Sequence, residues 1–209
     1  MDVTLMSTSG LISAAILCGG RGRRMGGLDK SALMIDGQSV LSRQLAALRP
    51  LTPHVMLVGR ASDRPAPPGV AVHDDSMPDC GPLGGIITAL EVAPTDRVLV
   101  LACDLPFVTT HFLSALANLE PSADALVPRD EEGRYAICAV FHRRVAPALR
   151  VATVSGTRKL QDALGHLTVT EVPRAVLTTW DGDGRLLLNL NTPQDYRAAE
   201  HVASAGAGA

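Results

Sequence analysis

The sequence predicts a three-layer α/β/α sandwich around a mainly parallel sheet. Short apolar runs alternate with helix-period segments, the β-α-β rhythm of such folds. Hydrophobic residues make up 46% of the chain but aromatics only 3%. The core must therefore be aliphatic, as in parallel sheets covered on both faces. The residues that can carry chemistry fall just after predicted strands, where open α/β sheets bind ligands.

The elements follow in order. Leu11–Leu17 is an uninterrupted apolar run and reads as a buried first strand. Ser39–Leu48 has helical periodicity through Val40, Leu41, Leu45 and Leu48, and Pro50 stops it. Strands are expected at His54–Val58 and Val70–Val72, with a Pro- and Ala-rich loop between them. Gly81–Leu83 leads into a helix through Leu90. Arg97–Ala102 is a central strand ending at Cys103-Asp104. Thr109 or Thr110 caps a helix through Leu119. Strands follow at Ala125–Val127 and Ala136–Phe141, then short helices at Val145–Val151 and Lys159–Leu164. Leu167–Val172 and Ala175–Thr178 are read as late strands. Pro193, at a first helical turn, opens the final helix.

A chain of 209 residues fits one such domain. Residues 1–10 are expected to form a flexible leader, 11–202 the domain and 203–209 a flexible Ala/Gly/Ser tail. The net charge of −2 calls for no nucleic-acid or anionic-membrane partner. No apolar run reaches the ~18 residues of a membrane span. Residues 1–10 lack a signal-peptide pattern. The four cysteines, Cys18, Cys80, Cys103 and Cys138, show no zinc-ligand spacing and no CxxC. They are read as reduced, structural thiols of a cytoplasmic protein. His73, His111 and His142 are scattered and are read as surface or packing residues.

The stretch that departs most from ordinary composition is Ile16–Lys30, ILCGGRGRRMGGLDK. After the first strand come Gly19, Gly20, Gly22, Gly26 and Gly27, with Arg21, Arg23, Arg24 and Lys30 among and after them. Glycines let backbone N–H groups approach a ligand closely, and consecutive N–H groups make a concave anion site. Arginine and lysine beside that site suit a polyphosphate. The loop is neither GxxxxGK[ST] nor GxGxxG. Nor does it open directly into a helix, since a turn at Asp36-Gly37 comes first.

The pattern it does carry is LxGGxxxRMGxxDKxxLxxxG, running from Leu17 to Gly37 through Gly19-Gly20, Arg24-Met25-Gly26, Asp29-Lys30 and Leu33. This resembles the signature of nucleotidyltransferases with a Rossmann-like fold, and in detail the molybdenum cofactor guanylyltransferase family. The resemblance continues at Asp75-Ser76 with Gly81-Pro82-Leu83-Gly84-Gly85, at Leu101-Ala102-Cys103-Asp104-Leu105-Pro106-Phe107 and at Leu190-Asn191-Thr192-Pro193-Gln194-Asp195. It thus spans about residues 11–197.

The resemblance implies transfer of GMP from Mg·GTP to molybdenum–molybdopterin, with pyrophosphate as the leaving group. The acceptor is already an anionic phosphate, so no Ser/His/Asp triad is required, and none is evident. By the same resemblance, the backbone of Leu17, Cys18, Gly19 and Gly20, with Arg24 and Lys30, would hold GTP phosphates. Asp104 would place Mg²⁺, a hard ion suited to carboxylate, water and phosphate oxygens. Asp75 and Gly81 would lie on the nucleoside side. Asn191 is either a hydrogen-bonding residue toward the pterin or a helix N-cap before Thr192-Pro193. Chaperones of molybdoenzymes or other cofactor-biosynthesis proteins are the implied partners.

The chain departs from the family pattern twice. Met56-Leu57-Val58-Gly59-Arg60 lacks the Asn expected after the second strand, where a backbone contact or Arg60 would substitute. Arg134-Tyr135-Ala136 stands where a His-Pro pair is expected. A molybdopterin cytidylyltransferase, a sugar-phosphate nucleotidylyltransferase and a non-catalytic nucleotide or molybdopterin carrier remain the alternatives. Gly19-Gly20 with Met25-Gly26 and Asp29-Lys30 tilts the reading toward guanine.

Overall fold

The computed structural model describes residues 12–19, 30–60, 65–119, 123–129, 133, 135–182 and 184–206, the last five by backbone alone. The expected leader, together with Gly20 and Arg24, lies outside them. The strands are β1 Ile12–Leu17, β2 Met34–Ile35, β3 Gln38–Ser39, β4 Val55–Val58, β5 Ala71–His73, β6 Arg97–Ala102, β7 Ala125–Pro128, β8 Cys138–His142 and β9 Val169–Val172. The helices are α1 Val40–Leu48, α2 Pro82–Val92, α3 Thr110–Asn118, α4 Ala146–Val154, α5 Leu160–Leu164, α6 Arg174–Trp180 and α7 Pro193–Gly206.

Seven strands of the described residues form one sheet in the order β5-β4-β1-β6-β8-β7-β9. β8 runs antiparallel to both its neighbours, and every other pair in this sheet is parallel. Strand periodicity sorts β1 onto two faces. Ile12, Ala14 and Ile16 join the core under α1, α3 and α6. Ala15 and Leu17 join the core under α2, α4 and α5. These two aliphatic layers are the sandwich the composition predicts.

Local chemistry accounts for the element ends. Ser39 caps α1 by accepting the Ser42 N–H, and Thr109 caps α3 by accepting the Phe112 N–H. β2 and β3 pair across Asp36-Gly37, whose φ angles are both positive, at 50° and 71°. A two-residue hairpin turn of that type favours Asp-Gly.

One expectation is corrected. Ala175–Thr178 is not a strand but the middle of α6. The β-branched run there reads as extended, yet the helical spacing of Val176, Leu177 and Trp180 turns all three toward the α1/α3 core. The Trp180 ring meets Phe112 at a centroid distance of 6.0 Å. Such a contact contributes about 0.5–1.5 kcal/mol beyond its area burial, and tertiary packing overrides local propensity. α7 runs on to Gly206. Its alanines are strong helix formers.

Candidate active site

β1, β4, β5 and β6 all present their carboxyl ends to one edge of the sheet. Lys30, Asp104 and Asn191 meet there. Lys30 opens a single 3₁₀ turn, Lys30–Ala32, whose Ser31 is buried. Asp104 follows β6. The segment before α7 is tied to it by the Leu190 N–H donating to the Asp104 carbonyl at 3.0 Å. The Lys30 ammonium donates to Asp104 Oδ2 at 2.9 Å and to Asn191 Oδ1 at 2.8 Å. Its side chain and that of Asp104 are only 21% and 15% exposed, so solvent screens the pair incompletely.

The other Asp104 oxygen, Oδ1, is buried without a hydrogen-bond partner among the described residues. A buried carboxylate oxygen in that condition is costly unless something takes it up. The described residues offer no cluster of three His, Cys, Asp or Glu side chains for a metal. One carboxylate with an unfilled oxygen is nonetheless the donor set Mg²⁺ uses when substrate phosphates and water complete its shell. The residues therefore fit such an ion.

Hydrogen bonding settles how α3 and α7 are capped. Asp104 does not cap α3, because Thr109 does. The Asn191 side chain does not cap α7 either. Asp195 Oδ2 accepts the N–H groups of Asn191 and Thr192, and the Thr192 hydroxyl accepts the Asp195 N–H, a reciprocal cap centred on Thr192. Asn191 Oδ1 is turned to Lys30 instead.

Beside this group lies a cleft of about 510 Å³, lined by Leu17, Gly19, Gly59, Asp75, Gly81 and Gly85 among others. Its tightness comes from backbone approach. A Cβ on Gly59, whose φ is +73°, would sit 2.9 Å from the Gly19 Cα. A Cβ on Gly84 would sit 2.4 Å from the Met77 carbonyl and within 2.9 Å of both Asp75 oxygens. Asp75 itself accepts the Met77 N–H at 2.9 Å, which shapes the turn entering α2. Gly81 caps α2 without a side-chain bond, and Pro82 follows in the first turn. The Cys18 N–H is held by the Val58 carbonyl at 2.8 Å. Gly19 is thus the first described amide past the strand ladder. Arg60 closes the β4 end of the region, with Nε and Nη1 buried and without hydrogen-bond partners among the described residues.

One residue that positions the site escaped the sequence reading. Gln44 of α1 is fully buried, and its amide donates to the Ala102 carbonyl at 2.7 Å and the Leu105 carbonyl at 3.1 Å. These two bonds bracket Cys103-Asp104. The signal was present: Gln44 is a polar residue within the stripe of Val40, Leu41, Leu45 and Leu48 that α1 buries.

Comparison with known proteins agrees with this fold. Residues 14–171 match the MobA-like NTP transferase domain. The chain is 32% identical over 185 residues to a molybdenum cofactor guanylyltransferase of Vibrio cholerae, covering 88% of each protein. It is 34% identical to a probable molybdenum cofactor guanylyltransferase of Chloroflexus aggregans, covering 91% of this chain and 94% of that one. The chain belongs to this family. Among solved structures, molybdopterin-guanine dinucleotide biosynthesis protein A from Archaeoglobus fulgidus superimposes with a TM-score of 0.78 at 28% identity. The overlap covers 92% of this chain and 99% of that one. Membership makes the chain a nucleotidyltransferase. The Lys30, Asp104 and Asn191 group lies at the strand edge where open α/β sheets bind ligands.

Proposed function

We propose that the protein transfers GMP from GTP to molybdenum–molybdopterin, releasing pyrophosphate and forming molybdopterin guanine dinucleotide. The observation that carries this reading is Lys30 set between Asp104 and Asn191. Three motif segments far apart in the chain supply one cation, one carboxylate with an unfilled oxygen and one amide.

The chemistry asks for charge management. The acceptor phosphate is anionic near neutral pH and needs no base to attack the α-phosphorus of GTP. The barrier comes from bringing two polyanions together and letting a third leave. Lys30 supplies positive charge at that point, and Arg24 supplies more from the glycine loop. The backbone of Leu17, Cys18 and Gly19, continued in the motif by Gly20, would line the phosphate path, with the Cys18 amide serving the strand rather than the ligand. Asp104 would hold Mg²⁺ through Oδ1. When bound, that ion would draw charge from the phosphate oxygens and the departing pyrophosphate. Asn191 fixes the Lys30 ammonium and faces the acceptor. The cleft between Gly19, Gly59, Asp75 and Gly81 takes the nucleoside, with Arg60 at its β4 end. The dinucleotide product would pass to molybdoenzyme chaperones or to later cofactor-biosynthesis proteins.

GTP labelled at either the α- or the γ-phosphorus tests the reaction. The α label should enter a molybdopterin-containing product, and the γ label should leave as pyrophosphate. Both should require molybdopterin. Retention of the γ label in the product, or release of inorganic phosphate alone, would contradict the transfer.

A further inference from the structure

The carboxyl ends of β1 and β6 also hold two thiols that nucleotide transfer does not use. Leu17 and Ala102 are the last register partners of these parallel strands. The ladder runs one step further, with the Cys103 N–H donating to the Leu17 carbonyl at 3.2 Å. Cys18 and Cys103 are therefore side by side, and both pack on the α1/α3 face of the sheet. Neither is in a disulfide. Cys18 is half-buried, and Cys103 beside it is buried at 9% exposure.

We propose that Cys18 and Cys103 are a modification site: a dithiol that a peroxide converts to a reversible disulfide, disabling the nucleotide site. Neighbouring strands lie about 4.8 Å apart, inside the Cα separation of about 4.4–6.8 Å that a disulfide accepts. Cys18 is reached first. Its sulfur attacks one peroxide oxygen, the O–O bond breaks, and a sulfenic acid and one water form. The Cys103 sulfur then attacks the Cys18 sulfur, the S–O bond breaks and a second water leaves. Two thiols and one peroxide become one disulfide and two waters, with the sulfurs oxidised and the peroxide reduced. A dithiol reductant reverses the bond by exchange.

The consequence follows from what each cysteine adjoins. Cys18 precedes Gly19, which packs against Gly59. Cys103 precedes Asp104, which holds Lys30. A disulfide holds the two Cβ atoms about 3.8 Å apart and ties the backbone leading into Gly19 to that leading into Asp104. A shift of either by on the order of 1 Å would cost as much as about 100-fold in rate. The disulfide rests on the strand geometry alone. Only its effect on turnover rests on the transferase reading.

The test uses the full chain, reduced, then treated with hydrogen peroxide in a Cys80→Ser background. Unreduced peptide mass spectrometry should show the Cys18 and Cys103 peptides joined with the loss of two hydrogens. GMP transfer should fall at least about tenfold and return with dithiothreitol. The Cys103→Ser variant should keep its basal turnover and escape the reversible loss. Overoxidation of Cys18 without a linked peptide, or linkage of Cys103 to Cys138 instead, would overturn the proposal. So would a linked protein of undiminished turnover. Were the chain to lack transferase activity altogether, the linked peptide would still decide the disulfide, and GTP binding would report its effect on the site.

Discussion

Lys30 stands between two oxygens supplied from residues 104 and 191, so its contribution should be visible in single substitutions. Lys30→Ala removes a charge-assisted contact, whose typical worth is about 1.5–3 kcal/mol. The expected result is a drop of about tenfold or more in kcat/KM for GTP, read by steady-state kinetics. An unchanged value would remove Lys30 from the site. Asp104→Ala should abolish turnover while the far-UV dichroism and thermal midpoint stay close to those of the parent. Wild-type turnover in that variant would end the metal assignment. Lys30 and Asp104 were legible in the sequence because each sits in a short motif whose spacing is local. The contact between Lys30 and Asn191 was not, since no local pattern says which way the Asn191 side chain turns. It was decided by Thr192 and Asp195, which cap α7 between them and leave the Asn191 side chain to the site.

Single elements show where sequence periodicity succeeds and where it fails. α1, with the stop before Pro50, was readable because its apolar stripe and its end signal agree. α6 was not, because its β-branched residues point to a strand while its burial pattern is that of a helix. Its hydroxyls turn inward to its own backbone, Thr178 donating to the Arg174 carbonyl and Thr179 to the Val176 carbonyl. α1 also carries the Gln44 clamp on the strand end that bears Asp104. Gln44→Leu keeps the volume but leaves two carbonyls without their donors. It is expected to cost about 1–3 kcal/mol of stability and to lower kcat while KM for GTP changes little. Equal losses in both parameters would make Gln44 a binding residue rather than a positioning one.

At the scale of the molecule, the sheet order places nucleotide and acceptor chemistry on one edge. The cleft lies over β1, β4 and β5, and Lys30 with Asp104 lies where β1 and β6 end. The far side of the sheet is held by two carboxylates. Asp124 accepts the Thr168 N–H and the Arg144 guanidinium, and that backbone bond first, then the arginine, pulls its carboxyl below the usual range. Glu171 is lowered by the Arg129 guanidinium and by the Tyr135 hydroxyl. A depressed carboxylate contributes stability that is fully present above its unfolded value, about 3.9 for Asp and 4.3 for Glu. That stability is lost as pH falls through the lower folded value. Thermal stability should therefore weaken from about pH 4 downward, and Asp124→Asn should flatten that acid limb. An identical pH profile in the variant would exclude Asp124 from acid unfolding. This staple joins β7 to the start of β9, a pairing that depends on strand order. The β-α-β rhythm predicted a mainly parallel sheet, but it could not say that β8 would insert antiparallel between β6 and β7.

The central claim is the base and the acceptor, and one measurement addresses both. The protein is incubated with molybdenum–molybdopterin, Mg²⁺ and either GTP or CTP, and the dinucleotide product and pyrophosphate are quantified together. The account predicts both with GTP, in equal amounts, and neither in the absence of molybdopterin. Preference for CTP would contradict the guanine assignment, and no product with either nucleotide despite GTP binding would contradict the transfer itself.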